Sequence, residues 1–327
     1  MINQHTTTRR TLLASALMSS LGLSAMAQGQ FPSKTMTFVV PYPAGGANDM
    51  LGRLIGQKMA EALNATAMVD NKPGAAALLG ASAVARAPAD GHTLLIGGLA
   101  THAASPNMLK ADYDPLKDFE PVGMIGSAPI IAITFNDSPF KTLKDVVDAA
   151  RKDPKGVMYG SSGNGSPLHL AGELFTSQNK IDMTHVPYKG GNAHILDLMG
   201  GRVPVIFDTA TNCMPLLKSG KVRALAVGAP ARLADFPNVP TFAEAGFPQF
   251  DFSAWYAVFA PAKTPKDVVA KLSAALSTTL KNPDVIAKLN GVGVTPANGD
   301  AATLAKFLPG EYERIGRLIR TANIKPD

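Results

Sequence analysis

Apolar runs of strand length alternate along the chain with stretches whose apolar positions recur at helical spacing. Residues 37–40 form a short continuous apolar run ahead of a glycine-rich turn, the pattern of a strand buried on both faces. Met50, Leu51, Leu54, Ile55, Met59 and Leu63 then recur every three or four positions and predict a helix over 48–63. The alternation continues with strands at 67–69, 93–96, 157–159, 203–207 and 222–227, and helices over 78–87, 142–153 and 166–179. Thr264-Pro265-Lys266-Asp267 is a capping signal with proline at the first helical position, opening a helix to about Leu280, and a last helix follows Asp300. Residues 122–125 and 130–134 read as two apolar runs joined by Gly126-Ser127-Ala128-Pro129. Such βαβ alternation predicts an α/β fold of parallel sheets covered by helices.

A length of 327 residues suggests about two domains. Ser/Pro-rich and charged linkers are missing, so the two are expected to be interleaved, with crossings near 124–128 and 253–259. That gives one doubly wound domain from 31–126 plus 255–327 and a second from 127–254. Ligands of open parallel sheets sit beyond the carboxyl ends of the strands, so two such domains facing each other form a cleft that closes about a hinge.

Composition narrows the chemistry. The single cysteine excludes a disulfide framework and a cysteine zinc site. The net charge of +6 comes from scattered lysines and arginines without the stripe that nucleic acid requires. Residues 1–27 carry Arg9-Arg10, no acidic residue, a short apolar run diluted by serines, and Ala25-Met26-Ala27. This is the pattern of a secretory signal peptide cleaved before Gln28. Thr8-Arg9-Arg10-Thr11-Leu12 also fits a twin-arginine signal, leaving both that route and the general secretory route open. Loss of the two arginines leaves a mature charge of +4. No later segment is apolar enough to span a bilayer, so a protein of the periplasm is expected.

Two strand ends echo each other: Val40-Pro41-Tyr42-Pro43-Ala44-Gly45-Gly46 and Val186-Pro187-Tyr188-Lys189-Gly190-Gly191. Glycine lets a ligand approach the backbone, and the N–H groups of the following helix start lack intrahelical partners. An anion can take those donors and gains from the helix dipole. After the first loop, Asn48 and Asp49 open the helix. A third loop, Gly160-Ser161-Ser162-Gly163-Asn164-Gly165-Ser166-Pro167-Leu168-His169, ends in a good N-cap serine and a proline at the first helical position. It is another nest of N–H and hydroxyl donors. It is neither a G-x-S-x-G elbow, a P-loop nor a dinucleotide fingerprint. Thr101 and His102 follow a strand and are placed to face the cleft, Ser127 sits at a crossing, and Asp208 ends a strand at the functional rim. His169, His185 and His194 lack metal-ligand spacing. Neither metal, cofactor nor catalytic residue is therefore expected. Trp255 and Tyr256 read as hinge or core packing.

These residues carry a resemblance. Pro41-Tyr42-Pro43-Ala44-Gly45-Gly46, Asn71-Lys72-Pro73-Gly74, Ala89-Asp90-Gly91-His92-Thr93-Leu94-Leu95, Val186-Pro187-Tyr188-Lys189-Gly190, Pro237-Asn238-Val239-Pro240-Thr241-Phe242 and Ala260-Pro261-Ala262-Lys263-Thr264-Pro265 resemble, in order and over essentially the whole mature chain, the Bug (TctC) family. These are extracytoplasmic solute-binding receptors of tripartite tricarboxylate transporters. Departures are Ala75-Ala76-Ala77, where the family more often has glycines, and Ala257, where glycine is usual. The resemblance implies a Venus-flytrap periplasmic binding protein of type II-like fold that acts as a monomer on a small carboxylate. It implies that Tyr42, Pro43, Ala44, Gly45 and Gly46 hold one carboxylate, with bridging waters. The second domain would supply Ser162, Gly163, Asn164, Gly165 and Ser166, with Asp208 nearby, and the candidate ligand set is completed by Asn48, Asp49, Thr101, His102, Ser127, His169 and Tyr188. The partners implied are the ligand, the membrane permease subunits and, in a sensory alternative, a sensor kinase. A secreted serine hydrolase using Ser162 or Ser166 with His169 is the other alternative, and the absence of an elbow argues against it.

Overall fold

The computed structural model describes residues 31–188 and 192–324. The leader at 1–27 and the Lys189-Gly190-Gly191 segment lie outside the described residues. In chain order the elements are β1 (Met36–Val40), α1 (Ala47–Ala62), β2 (Ala67–Asn71), α2 (Leu78–Ala85), β3 (Thr93–Gly98), β4 (Phe119–Phe135), α3 (Leu143–Lys152), β5 (Met158–Ser161), α4 (Pro167–Asn179), β6 (Thr184–Pro187), α5 (Ala193–Met199), β7 (Val205–Thr209), α6 (Ala210–Lys218), β8 (Val222–Val227), β9 (Ser253–Pro261), α7 (Lys266–Lys281), α8 (Pro283–Gly291), β10 (Thr295–Pro296) and α9 (Ala301–Thr321). Helical turns at Ala100–Ala104 and Ser105–Met108 follow β3.

In the first sheet β1 lies between β2 and β3, all parallel, and β3 continues antiparallel to β9 and then β4. In the second, β5 lies between β6 and β7, all parallel, and β7 continues antiparallel to β4, which in turn pairs antiparallel with β8. The sheets are therefore mixed: each has a parallel trio joined through helices, extended by antiparallel strands. Phe38, Val40, Leu94 and Ile96 are buried under α1 and α7 in the first sheet, and Tyr159, Phe207 and Phe175 fill the core of the second.

β4 corrects the expectation of two separate apolar runs. Residues 126–129 do not break the strand but stay paired with residues 256–253 of β9. Gly123 and Gly126 are there for close approach. A Cβ at Gly123 would lie 2.2 Å from the Gly299 carbonyl oxygen, and one at Gly126 would lie 2.3 Å from that of Thr295. Pro129, which has no N–H to give a ladder, ends the pairing with β9, and from Ile130 onward β4 pairs with β7 and β8.

The topology also separates the two V-P-Y segments. The first ends β1, the middle strand of its parallel trio, whereas the second ends β6, an edge strand. The counterpart of the β1–α1 loop is the β5–α4 loop at 162–166. Similar wording in the chain thus falls at non-equivalent places, because the echo follows local turn chemistry and strand order follows long-range pairing.

Gly98 ends β3 opposite Tyr256, and a Cβ there would lie 2.1 Å from the Trp255 carbonyl oxygen, which cannot swing away. Gly98→Ala is expected to cost about 3 kcal/mol in chemical denaturation, the upper range for an overpacked site. Unchanged stability would show that β3 and β9 do not approach as closely as described.

Candidate functional site

A cavity of about 1030 Å³ opens at the carboxyl ends of all six parallel strands. Its walls come from the loops after β1, β2 and β3 on one side and after β5, β6 and β7 on the other, closed at the back by Ala254, Trp255 and Tyr256 of β9. Among the described residues, the lining contains no Asp, Glu, Lys, Arg or His.

The first loop is organised from beneath. Asp49, in the first turn of α1, accepts the Gly45 N–H at 3.0 Å, the Asn71 amide at 3.0 Å and Arg53 Nε at 3.0 Å. The same Asn71 amide donates to the Tyr42 carbonyl at 3.1 Å. Burial alone would raise the Asp49 carboxyl, but these hydrogen bonds and the Arg53 charge outweigh it and hold its pKa below the ordinary value. Asp49 is itself 5% exposed and does not line the cavity. Gly45 takes φ +85°, and Gly46 caps α1 with no side chain on the helix N–H groups. The first-turn donors of a 16-residue helix are thereby left to the cavity.

The second loop spends more of its donors internally. The Gly165 N–H donates to His169 Nδ1 at 3.0 Å, the Gly163 N–H to Ser161 Oγ at 3.1 Å, and the His169 N–H to Ser166 Oγ at 3.3 Å. His169 is buried, stacks on His185 at 3.8 Å, and has Nε2 3.8 Å from Glu173. Both ring nitrogens thus face partners other than Ser162 and Ser166, which leaves the serine–histidine pair of a hydrolase unassembled. A third helix start completes the lining. α6 is preceded by Thr209 as its N-cap, whose side chain makes no cap hydrogen bond, and Thr209 and Asn212 both line the cavity. Asp208 lies beneath them, fully buried. It accepts the Thr209 N–H at 2.6 Å and the Asn212 amide at 3.0 Å, and sits 2.7 Å from His194 Nε2.

Of the sequence candidates, residues 42–46, 48, 162–166 and 188 line the cavity. Asp49, His169 and Asp208 support it from behind. Thr101 and His102 do not face the cleft as expected. The Thr101 hydroxyl bonds both backbone groups of Gly98, and His102 stacks on Phe259 at 3.6 Å in the core. The wide helical turn at Ala100–Ala104 directs them inward. Ser127 is held in β4 opposite Trp255 and Thr295 and does not line the cavity. Sequence reasoning missed Asn192, Thr209, Asn212 and Ser105, and it assigned Trp255 and Tyr256 to packing although both also line the cavity. The strand end at 207–209 was the available signal for Thr209 and Asn212. Trp255 is oriented by its indole N–H on Glu311 at 3.2 Å, with Arg314 bonding the same carboxylate. Burial pushes the hydroxyls of Tyr256 and Tyr188 up to about 12, so both are neutral at physiological pH, and Tyr188 donates to Asp197 at 2.6 Å.

Residues 75–77, of which Ala76 and Ala77 line the cavity, have an unusual backbone. Ala75, Ala76 and Ala77 have φ of 46°, 50° and 75°, a left-handed run without glycine. Such backbone costs about 1–2 kcal/mol per residue outside glycine. The Ser105 hydroxyl donates to the Ala76 carbonyl at 2.6 Å and helps hold the run.

The sequence profile of the tripartite tricarboxylate transporter family receptors, TctC, matches residues 51–324. The chain belongs to this family. Among curated relatives of the TctC chain, the UPF0065 protein in the tcbD-tcbE intergenic region of Pseudomonas sp. (strain P51) is 36% identical over 314 residues, covering 95% of this chain and 94% of the relative. Among solved structures, R. palustris Rpa4515 with adipate is 34% identical with a TM-score of 0.85, covering 91% of this chain and 100% of that one. MatC (Rpa3494) from Rhodopseudomonas palustris with bound malate is 35% identical with a TM-score of 0.81, covering 88% and 100%. The TctC receptor here therefore has the α/β fold of periplasmic binding proteins.

Two buried histidines are expected to make the fold sensitive to acid. Burial lowers His102 to about 3, and burial together with His185 lowers His169 to about 3. An unfolded histidine titrates near 6.5. Between these values the unfolded chain binds more protons, so stability rises with pH through the window and falls on acidification. Going from pH 7 to pH 5 is expected to cost about 2 kcal/mol per histidine in urea denaturation. A flat profile over that range would mean that neither ring is held neutral.

Proposed function

We propose that the chain is an extracytoplasmic receptor that captures a small carboxylate in this cavity and delivers it to the membrane permease of a tripartite tricarboxylate-type transporter. The observation that carries this is the convergence of three helix starts, those of α1, α4 and α6, on a cavity with no cationic side chain among its described lining. An anion there is held by backbone N–H groups, hydroxyls and amides, and by the positive ends of helices. Hydrogen bonds to a charged group contribute about 1.5–3 kcal/mol each. A micromolar ligand needs about 8 kcal/mol net, so a handful of such bonds with cleft closure suffices after ordering costs. The adipate and malate in the two similar structures are of this ligand class.

In this reading the leader at 1–27 exports the chain to the periplasm, and binding involves no catalysis, cofactor or metal. The receptor works as a monomer of two domains, 31–126 plus 255–327 and 127–254. The handover of β4 from β9 to β7 and β8 at Pro129 and Ile130 supports a division there, with the hinge in the strands that run between the halves.

Calorimetry against mono-, di- and tricarboxylates tests the ligand class directly, and no response to any of them overturns it. Gly46→Asp isolates the α1 site. Position 46 has φ outside the left-handed region, and a Cβ there comes no nearer than 3.8 Å to Pro43 O, so a side chain fits. The new carboxylate would cap α1 itself, where aspartate is a favoured N-cap. Carboxylate affinity is expected to fall at least about 100-fold with the melting temperature unchanged or raised. Retained affinity would show that the loop is only a turn.

A further inference from the structure

One wall of the cavity differs in chemistry from the helix starts opposite. It is formed by Ala76, Ala77, Leu99, Met108 and Leu109. Two polar side chains beside it are turned to the backbone: the Ser105 hydroxyl donates to the Ala76 carbonyl at 2.6 Å, and the Thr101 hydroxyl bonds the Gly98 N–H and carbonyl at 3.0 and 3.1 Å. Met108 reaches across to the β5–α4 loop, since a Cβ at Gly165 would lie 2.7 Å from its terminal methyl carbon. The thioether is an adaptable apolar surface. Ala76 adds a second, independent observation. Its left-handed backbone would be unstrained as glycine, yet the residue is alanine, and it is exposed to the cavity, so core packing does not repay the methyl group.

We infer that this wall selects a carboxylate whose body is bare hydrocarbon, alkyl or aryl, over one of the same size that carries hydroxyl groups. The inference rests on the carboxylate reading above and adds the part of the ligand that reading leaves open. A hydroxyl pressed against the wall on closure loses water and gains no partner, whereas a methylene or aromatic edge gains contact with the methyl groups and the thioether.

Calorimetry on the purified chain tests this with two matched pairs. Adipate is compared with galactarate, the same diacid hydroxylated along its body, and benzoate with gallate, its trihydroxylated counterpart. In whichever pair binds, the hydrocarbon member is expected to be at least about tenfold tighter. Met108→Gln, which puts an amide in place of the thioether, is expected to reduce that ratio at least about threefold. Ala76→Gly, whose backbone glycine accommodates, should reduce it about threefold for one lost methyl contact without lowering the unliganded melting temperature. Equal or tighter binding of the hydroxylated members overturns the inference while the carboxylate reading stands. So does binding of citrate or malate when neither pair binds. No binding of any carboxylate removes both.

Discussion

β4 pairs with β9 as far as Pro129 and with β7 and β8 from Ile130, so neither sheet is complete without a strand that also belongs to the other. This one shared strand sets the relation between the two parallel trios. Their carboxyl ends meet at a common cavity, and the helices that follow β1, β5 and β7 direct their N-termini into it. The glycines of β4 belong to the same constraint, since β10 and the segment before α9 lie against its backbone too closely for a Cβ.

Among the described residues the cavity lining has no charged side chain, so in the carboxylate reading an anion is held by groups whose partial charges are fixed by the fold. Unpaired first-turn N–H groups are donors because of where a helix begins, and their direction is set by strand order. The buried carboxylates then have a consistent role. Asp49 and Asp208 do not face the ligand space, which would repel an anion, but tie down the loops that do. His169 supports the second loop in the same way, and it does so only as a neutral ring accepting the Gly165 N–H.

Much of this was legible in residue order. The β1–α1 and β5–α4 loops announced themselves by Gly, Ser and Asn before a helix start, and their residues face the cavity. Both V-P-Y segments reach the cavity, but they end strands in unlike positions of their sheets, which similar local turns do not reveal. Asp208 was placed correctly at a strand end but faces down toward His194, since a carboxylate there finds an N–H, an amide and an imidazole. His102 was read as facing the cleft from its position after a strand. The wide turn that follows β3 instead rotates it onto Phe259.

Residue order by itself determined the alternation of strands and helices and the position of the glycine loops between strand ends and helix starts. These are local properties, set by spacing, propensity and turn chemistry within a few residues. Tertiary structure alone decided that residues 122–134 belong to one strand, that Trp255 and Tyr256 close the cavity, and that Ala76 and Ala77 belong to its apolar wall. Each of these depends on what approaches from far along the chain: the Gly299 and Thr295 carbonyls against β4, β3 against β9, and Ser105 beneath Ala76. Spacing along a sequence carries no record of such distant neighbours.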